Sequence, residues 1–274
     1  MDPGRWRVSF SAAFGSFEAS HVADVPDVAP HMHHVRLNLS HYELFANYGL
    51  RNRMQLFVRA PYDVKDQHVR YSTLDGAPFT PPYGDIHHRT ETLTGISDAS
   101  IGIELAPRSG WTLGLGTTLP TGDTVPDPIL LGREGKTHEH IQFGSGTFRP
   151  IVSAQWAHPR FVARAEATLS VYENGEGFRA PTTIVYSAGP QLRVRNVSIA
   201  PRVTGQYQTI GRWSGEIDEG SGFDMGGVSL QLAMPIRGFV IAPNVYRELW
   251  SRSLSGDESF RQGTTFGVAI SHTY

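Results

Sequence analysis

The 274-residue chain contains no cysteine, which removes disulfide frameworks, thiolate metal sites and cysteine nucleophiles together. It also lacks any apolar run near the ~20 residues that carry a helix across a bilayer. The mean hydropathy is -0.26, which a β-barrel tolerates because alternating inward and outward residues dilute its hydropathy. Lysine is almost missing, with Lys65 and Lys136 the only two, and the formal net charge of -2 gives no reason to expect a nucleic-acid partner. The opening residues, MDPGRW, have no basic segment followed by an apolar core, so the sequence shows no secretory signal. Nor is there a G-x-S-x-G elbow. Ser40 and His41 are adjacent, and neighbours on a strand point to opposite faces, so they cannot act as nucleophile and base. The chain therefore does not read as an enzyme.

What it has instead is alternation. In residues 95–123, GISDASIGIELAPRSGWTLGLGTTLPTGD, Ala99, Ile101, Ile103 and Leu105 alternate with Ser100, Gly102 and Glu104. Beyond a tight turn at 106–110, Trp111, Leu113, Leu115, Thr117 and Leu119 alternate with Thr112, Gly114, Gly116 and Thr118. This is a β-hairpin with one aliphatic and aromatic face and one small, polar face, which suits lipid outside and a polar lumen inside.

The same pattern predicts further strands at 6–14, 35–46, 54–60, 148–156, 161–171, 183–194, 197–208, 227–234, 239–249 and 264–274, twelve in all with the hairpin. Long polar connections, such as 15–34, 61–94 and 123–146, alternate strictly with short turns at 47–52, 157–160, 195–196 and 235–238. A soluble sandwich has no reason to sort its loops by length. The reading is all-β: one up-and-down antiparallel transmembrane β-barrel of about 12 strands over 1–274, with long extracellular loops and short periplasmic turns. It places the chain, its signal peptide removed, in the outer membrane of a Gram-negative bacterium, against membrane lipid. Expected aromatic girdle residues are Trp6, Tyr48, Trp111, Trp156, Phe161, Tyr207, Phe239 and Tyr274.

Three segments carry a resemblance. Gly95-Ile96-Ser97-Asp98, then Leu119-Pro120-Thr121-Gly122-Asp123, then Gln142-Phe143-Gly144-Ser145-Gly146-Thr147 resemble recurring motifs of outer-membrane barrels associated with the meta-cleavage pathway of phenol degradation. Ser97 departs from the pattern, which usually has glycine there. The resemblance implies a channel or transporter, without naming its solute.

The facing assignment sends Arg36, Gln55, Arg59, Glu104, Arg164, Glu166, Gln191, Arg193, Arg202, Thr204 and Gln206 toward the lumen. Arginines and carboxylates on neighbouring strands would pair in ladders. Such ladders either fill and rigidify the barrel or line a narrow pore for anions and polar solutes. Seven of the 12 histidines gather near the ends of long loops: His31, His33 and His34; His87 and His88; His138 and His140. With Asp85, Glu91 or Glu139 nearby, this donor set fits a divalent transition metal, Zn or Cu, at the extracellular rim. The competing readings are a hydrogen-bonded polar plug and a pH-sensitive gate. The sequence thus points to an outer-membrane channel for small solutes, hydrophobic or aromatic compounds being what the resemblance implies. The alternative is a structural or metal-binding barrel in a cell-surface complex, its loops or rim holding a protein partner.

Overall fold

The computed structural model describes residues 2–23, 28–82, 89–218, 220–256 and 261–274. Strands β1 (Trp6–Ala23), β2 (His31–Arg51) and β3 (Met54–Thr73) are long, and β4 (Glu91–Ile96), β5 (Ser100–Leu105) and β6 (Trp111–Thr118) are short. Helix α1 (Pro128–Arg133) precedes β7 (Pro150–His158), β8 (Phe161–Thr168), β9 (Phe178–Arg179), β10 (Thr183–Pro190), β11 (Leu192–Val194) and β12 (Val197–Gln208). The chain ends with β13 (Arg212–Trp213), β14 (Glu216–Ile217), β15 (Phe223–Ile236), β16 (Phe239–Ser253), β17 (Arg261–Gln262) and β18 (Thr265–Thr273).

These strands close a 12-strand antiparallel barrel, in which β4 with β5, and β10 with β11, each count as one interrupted wall strand. Closure runs from Arg7↔Thr273 to Phe14↔Phe266, where the last strand pairs with the first. Tyr274 extends the seam by donating its backbone N–H to the Trp6 carbonyl at 2.8 Å. Short turns follow β2, β5, β7, β11 and β15, so one rim carries the turns and the termini while the long connections gather at the other.

The outer face is an apolar belt. Phe10, Leu44, Val58, Ile101, Leu115, Val152, Val203, Leu230 and Ile270 are exposed large hydrophobics on the outward phase of their strands. In water so continuous an apolar surface would be an aggregation liability, whereas against lipid it is the ordinary solution. At the turn-bearing rim Trp6 packs on Tyr48 at 4.7 Å, Trp111 pairs with Trp156, and Phe161 sits 6.1 Å from Trp156.

The predicted connections at 15–34 and 61–94 are largely strand instead. β1 continues to Ala23, β2 begins at His31 and β3 runs to Thr73. The reason is a change of polarity between faces. Up to Phe14 the outward residues of β1 are apolar, but above it they are Ser16, Glu18 and Ser20, paired with Asn38, Arg36 and His34. The inward residues there are Phe17, Ala19, Val35, Leu37 and Leu39. An 18-residue strand tilted as in such barrels rises ~45 Å against a ~25 Å lipid-facing band. Its upper part stands clear of the bilayer, with water outside and packed loops inside. The wall is low on the opposite side, where β6 and β8 have eight residues each. Smaller departures include the end of β8 at Thr168, the start of β15 at Phe223, the run of β16 on to Ser253, and helix α1 within residues 124–146.

Candidate functional site

The small inward face of the β5–β6 hairpin makes room for an aromatic side chain. A Cβ added at Gly102 would lie 2.6 Å from the Phe57 ring, and one at Gly116 would lie 2.9 Å from it. Phe57, inward on β3, fills this space and is 2% exposed. The Arg59 guanidinium then lies over Phe57 at 5.1 Å and Phe45 at 5.6 Å. From there it crosses to β8, where its two terminal nitrogens donate to the two Glu166 carboxylate oxygens at 2.6 and 2.8 Å. Arg164 donates to the same carboxylate at 2.8 Å, and Gln55 donates to Glu104. A paired, largely buried charge of this kind is worth little in net stability but is costly to break, so it holds the lumen at one cross-section. Space remains beside it: Val185 points inward from β10 opposite Glu166 yet is 44% exposed.

The register likewise turns Gln55, Arg59, Glu104, Arg164, Glu166, Arg193, Arg202, Thr204 and Gln206 inward, with Gln191 in the same phase beside the break between β10 and β11. Arg36 is the correction. It faces outward above the lipid belt, 3.8 Å from Glu18 and well exposed, because the alternation that runs apolar-out lower down runs polar-out there.

The three motif segments meet in one knot at the break between β4 and β5. Asp98 accepts hydrogen bonds from the Gly122 N–H at 3.1 Å, the Ser145 N–H at 2.8 Å and the Ser145 hydroxyl at 2.7 Å. Thr121 Oγ1 donates to the Ser97 carbonyl and accepts from the Ala99 N–H, at 3.0 and 2.8 Å. The Gly122 and Gly144 backbones touch so closely that a Cβ on Gly122 would sit 2.7 Å from the Gly144 Cα. Spacing alone could not reveal this convergence.

Above the knot, residues 119–149 fold into the barrel mouth. Lys65 donates to the Gln142 carbonyl at 2.6 Å with its ammonium 4.4 Å from the Phe143 ring. Arg89 donates to the His138 carbonyl at 3.0 Å and pairs with Glu91 at 3.0 Å and Glu139 at 3.1 Å. Burial raises the Glu139 carboxyl above its ordinary value, and the neighbouring Glu91 pushes the same way. A second sheet of β9, β13 and β14 caps the mouth, with Trp213, 1% exposed, at its centre and Val125 and Ile129 packed against it. Arg133 on α1 joins Glu216 on β14 through contacts of 2.8 and 2.6 Å.

The predicted histidine set is only partly drawn together. His31 and His33 face inward and are buried, Nε2 to Nε2 at 3.2 Å. His34 departs from the set: it faces outward and bonds the hydroxyls of Ser20 and Ser72, each at 2.9 Å, because successive strand residues point to opposite faces. His138 and His140 lie with ring centroids 5.1 Å apart, the Nδ1–H of His138 held by the Lys136 carbonyl at 2.9 Å. His87 and His88, with Asp85, lie outside the described residues.

Sequence reasoning missed His41, Asp63, Lys65 and Asp98. Asp63 stands between its partners, accepting from the Ser97 hydroxyl and contacting His41 Nδ1 at 2.7 Å. For Asp63 and Lys65 the available signal was polar residues persisting on the inward phase of β3, beyond the point where the predicted strand gave way to a loop.

The closed 12-strand barrel with an apolar outer belt and a loop-filled mouth has the architecture of a transmembrane β-barrel. No protein-family model matches this sequence, and no curated protein matches it. Solved structures do. An outer-membrane channel from Pseudomonas putida F1 shares the fold with a TM-score of 0.64 and 8% identity, over 100% of this chain and 97% of that one. The monoaromatic hydrocarbon channel CymD gives 0.52 at 9% identity, over 100% and 89%. A deltaS2 mutant of the monoaromatic hydrocarbon channel TodX gives 0.50 at 9% identity, over 100% and 91%. At identities this low the likeness is one of fold.

Proposed function

We propose that the chain is an outer-membrane channel for small apolar solutes, monoaromatic compounds among them, entering through the wall at the break between β4 and β5. The observation that carries this reading is the interrupted wall. β4 pairs with β3 along Tyr62↔Ile96 to Gln67↔Glu91, while β6 ends at Thr118 opposite Ser100. Among the described residues, no strand pairs with the other edge of β4. Phe143 stands behind this edge, its ring 2.9 Å from where a Gly95 Cβ would be, and the exposed Tyr62, Ile96 and Ile101 flank it outside.

An axial route runs into the Arg59–Glu166 pair and the inserted 119–149 segment, both of which penalise an apolar solute through unsatisfied polar groups. A lateral route presents aromatic and aliphatic side chains to a solute already partitioned into lipid. Likeness of fold to hydrocarbon channels supports the same solute class. The inward space beside Val185 offers a continuation toward the turn-bearing rim. No catalytic role is assigned. In the His41–Asp63–Ser97 set the carboxylate separates hydroxyl from imidazole, so the serine faces no base.

The test is a lock. The native chain has no cysteine, so Gly95→Cys with Phe143→Cys forms a unique thiol pair. In proteoliposomes, toluene uptake is expected to fall at least tenfold on oxidation and to return on reduction. Uptake that ignores the lock sinks the lateral route. Preferential passage of sugars over toluene in the reduced protein sinks the solute class.

A further inference from the structure

We infer that His31, His33 and His21 form a nitrogen-donor site for a divalent transition metal of the Zn class, built into the upper inner face of the β1–β2 hairpin. The channel reading gives these residues no task. His31 is 0% and His33 3% exposed. Their Nε2 atoms are 3.2 Å apart. Two nitrogens bound to one tetrahedral ion at Zn–N lengths of ~2.0–2.1 Å stand ~3.3 Å apart, so the pair already has the required spacing.

The outer contacts fit the same role. His31 Nδ1 lies 2.9 Å from the Ala29 carbonyl. A carbonyl can only accept, so the proton is on Nδ1 and the Nε2 lone pair points at His33. This is the usual support for a metal-ligating imidazole, whose other nitrogen donates to a backbone carbonyl or carboxylate. His21 is directly opposite His33 in the β1–β2 register, with ring centroids 4.9 Å apart. Tyr71 at 4.9 Å from the His33 ring, and Phe79 at 4.5 Å from the His31 ring, form an aromatic wall.

Among the described residues no three donors are already arranged around one point. Binding therefore requires the His21 ring to turn on its χ2 toward the pair, a soft torsion for an imidazole. On binding, the His33 proton would move from Nε2 to Nδ1, so that the ion replaces the His33 Nε2–H···Nε2 His31 hydrogen bond by two metal–nitrogen bonds and ties β1 to β2 above the lipid belt. Neutral imidazole donors without thiolates suit Zn, Cu or Ni over Ca or Mg.

The experiment uses the full chain in detergent, stripped with EDTA and titrated with Zn(II) by equilibrium dialysis. Heat-modifiable gel mobility reports the folded barrel in each variant. One ion per chain is expected. His31→Ala and His33→Ala should each weaken binding at least tenfold, and His21→Ala should weaken it less. His34→Ala should leave it unchanged, since that ring points outward from the same strand. Co(II) added to the wild-type protein should give the ligand-field absorption of a nitrogen-ligated ion, a readout that needs no variant. The proposal fails if wild-type protein binds no Zn and gives no Co(II) band. It fails equally if His31→Ala and His33→Ala bind as wild type, or if His34→Ala loses as much affinity as they do.

Discussion

Arg59 and Glu166 meet across the barrel from β3 and β8, each five residues above the turn-bearing end of its strand, through two parallel contacts of 2.6 and 2.8 Å. The strands that hold them are not neighbours, since β5, β6 and β7 lie between. The pair is therefore a strut across the lumen, distinct from a ladder between adjacent strands. Removing one partner strands the other: Glu166→Ala is expected to cost ~3–5 kcal/mol, read as a lowered urea midpoint of the folded barrel. Arg59→Ala with Glu166→Ala should recover much of that loss and raise single-channel conductance in a planar bilayer. A double variant as unstable as Glu166→Ala, with unchanged conductance, would contradict the strut.

Phe57 and Gly102 make a second, independent claim on the same cross-section. Any side chain at Gly102 meets the buried Phe57 ring at 2.6 Å and the Leu115 carbonyl oxygen at 2.5 Å. Gly102→Val should destabilise by ~1–3 kcal/mol through overpacking. Phe57→Ala introduced with it should relieve part of the loss, so the two changes will not add. Additive melting shifts in the double variant would show that the two positions are not in contact.

The acid-side behaviour of the cap follows from Asp218, between β14 and β15. Burial raises its carboxyl to about 6, against the opposing effect of a hydrogen bond from Trp213. An unfolded aspartate titrates near ~3.9, so the native cap prefers the protonated form. Its contribution is complete below pH ~4 and is lost as pH rises through about 6. Hydrogen exchange at residues 209–218 should therefore quicken between about pH 4 and 6, after correction for intrinsic exchange. Asp218→Asn should flatten that profile. A wild-type profile as flat as the variant's would place the carboxylate in water.

How much of this was legible in the sequence depends on which medium each face meets. Leu113, Leu115 and Trp111 could be assigned outward from alternation alone, because lipid on one side and a polar lumen on the other impose period two. Arg36 was misplaced because the same alternation persists after the medium changes, so the period survives while its meaning reverses. His34 went wrong for a related reason: three histidines in four residues look like a cluster, but a strand divides them between two faces. The small face of 112–118 was read as lining a polar lumen, when its glycines make room for Phe57, a relationship between separate strands. Asp98 lay within a segment already singled out, yet its partners at Gly122 and Ser145 come from two other segments, and only the fold brings them together.

That knot yields the last prediction. Asp98 accepts three hydrogen bonds, each strengthened by its charge and worth ~1.5–3 kcal/mol against an unsatisfied partner. They tie the inserted 119–149 segment to the wall break, so Asp98→Ala should release that segment without opening the barrel below it. The β5–β6 hairpin keeps its own ladder from Ser100↔Thr118 to Leu105↔Leu113. Limited proteolysis on intact cells should then cut within 119–149 at least tenfold faster than in wild type, while the gel mobility of the folded barrel is retained. Ser145→Ala removes one of the three contacts and should give an intermediate rate. If the segment plugs the lumen, Asp98→Ala should also admit small sugars that the wild type excludes. Faster cleavage without sugar entry would assign the closure to Arg59 and Glu166 alone.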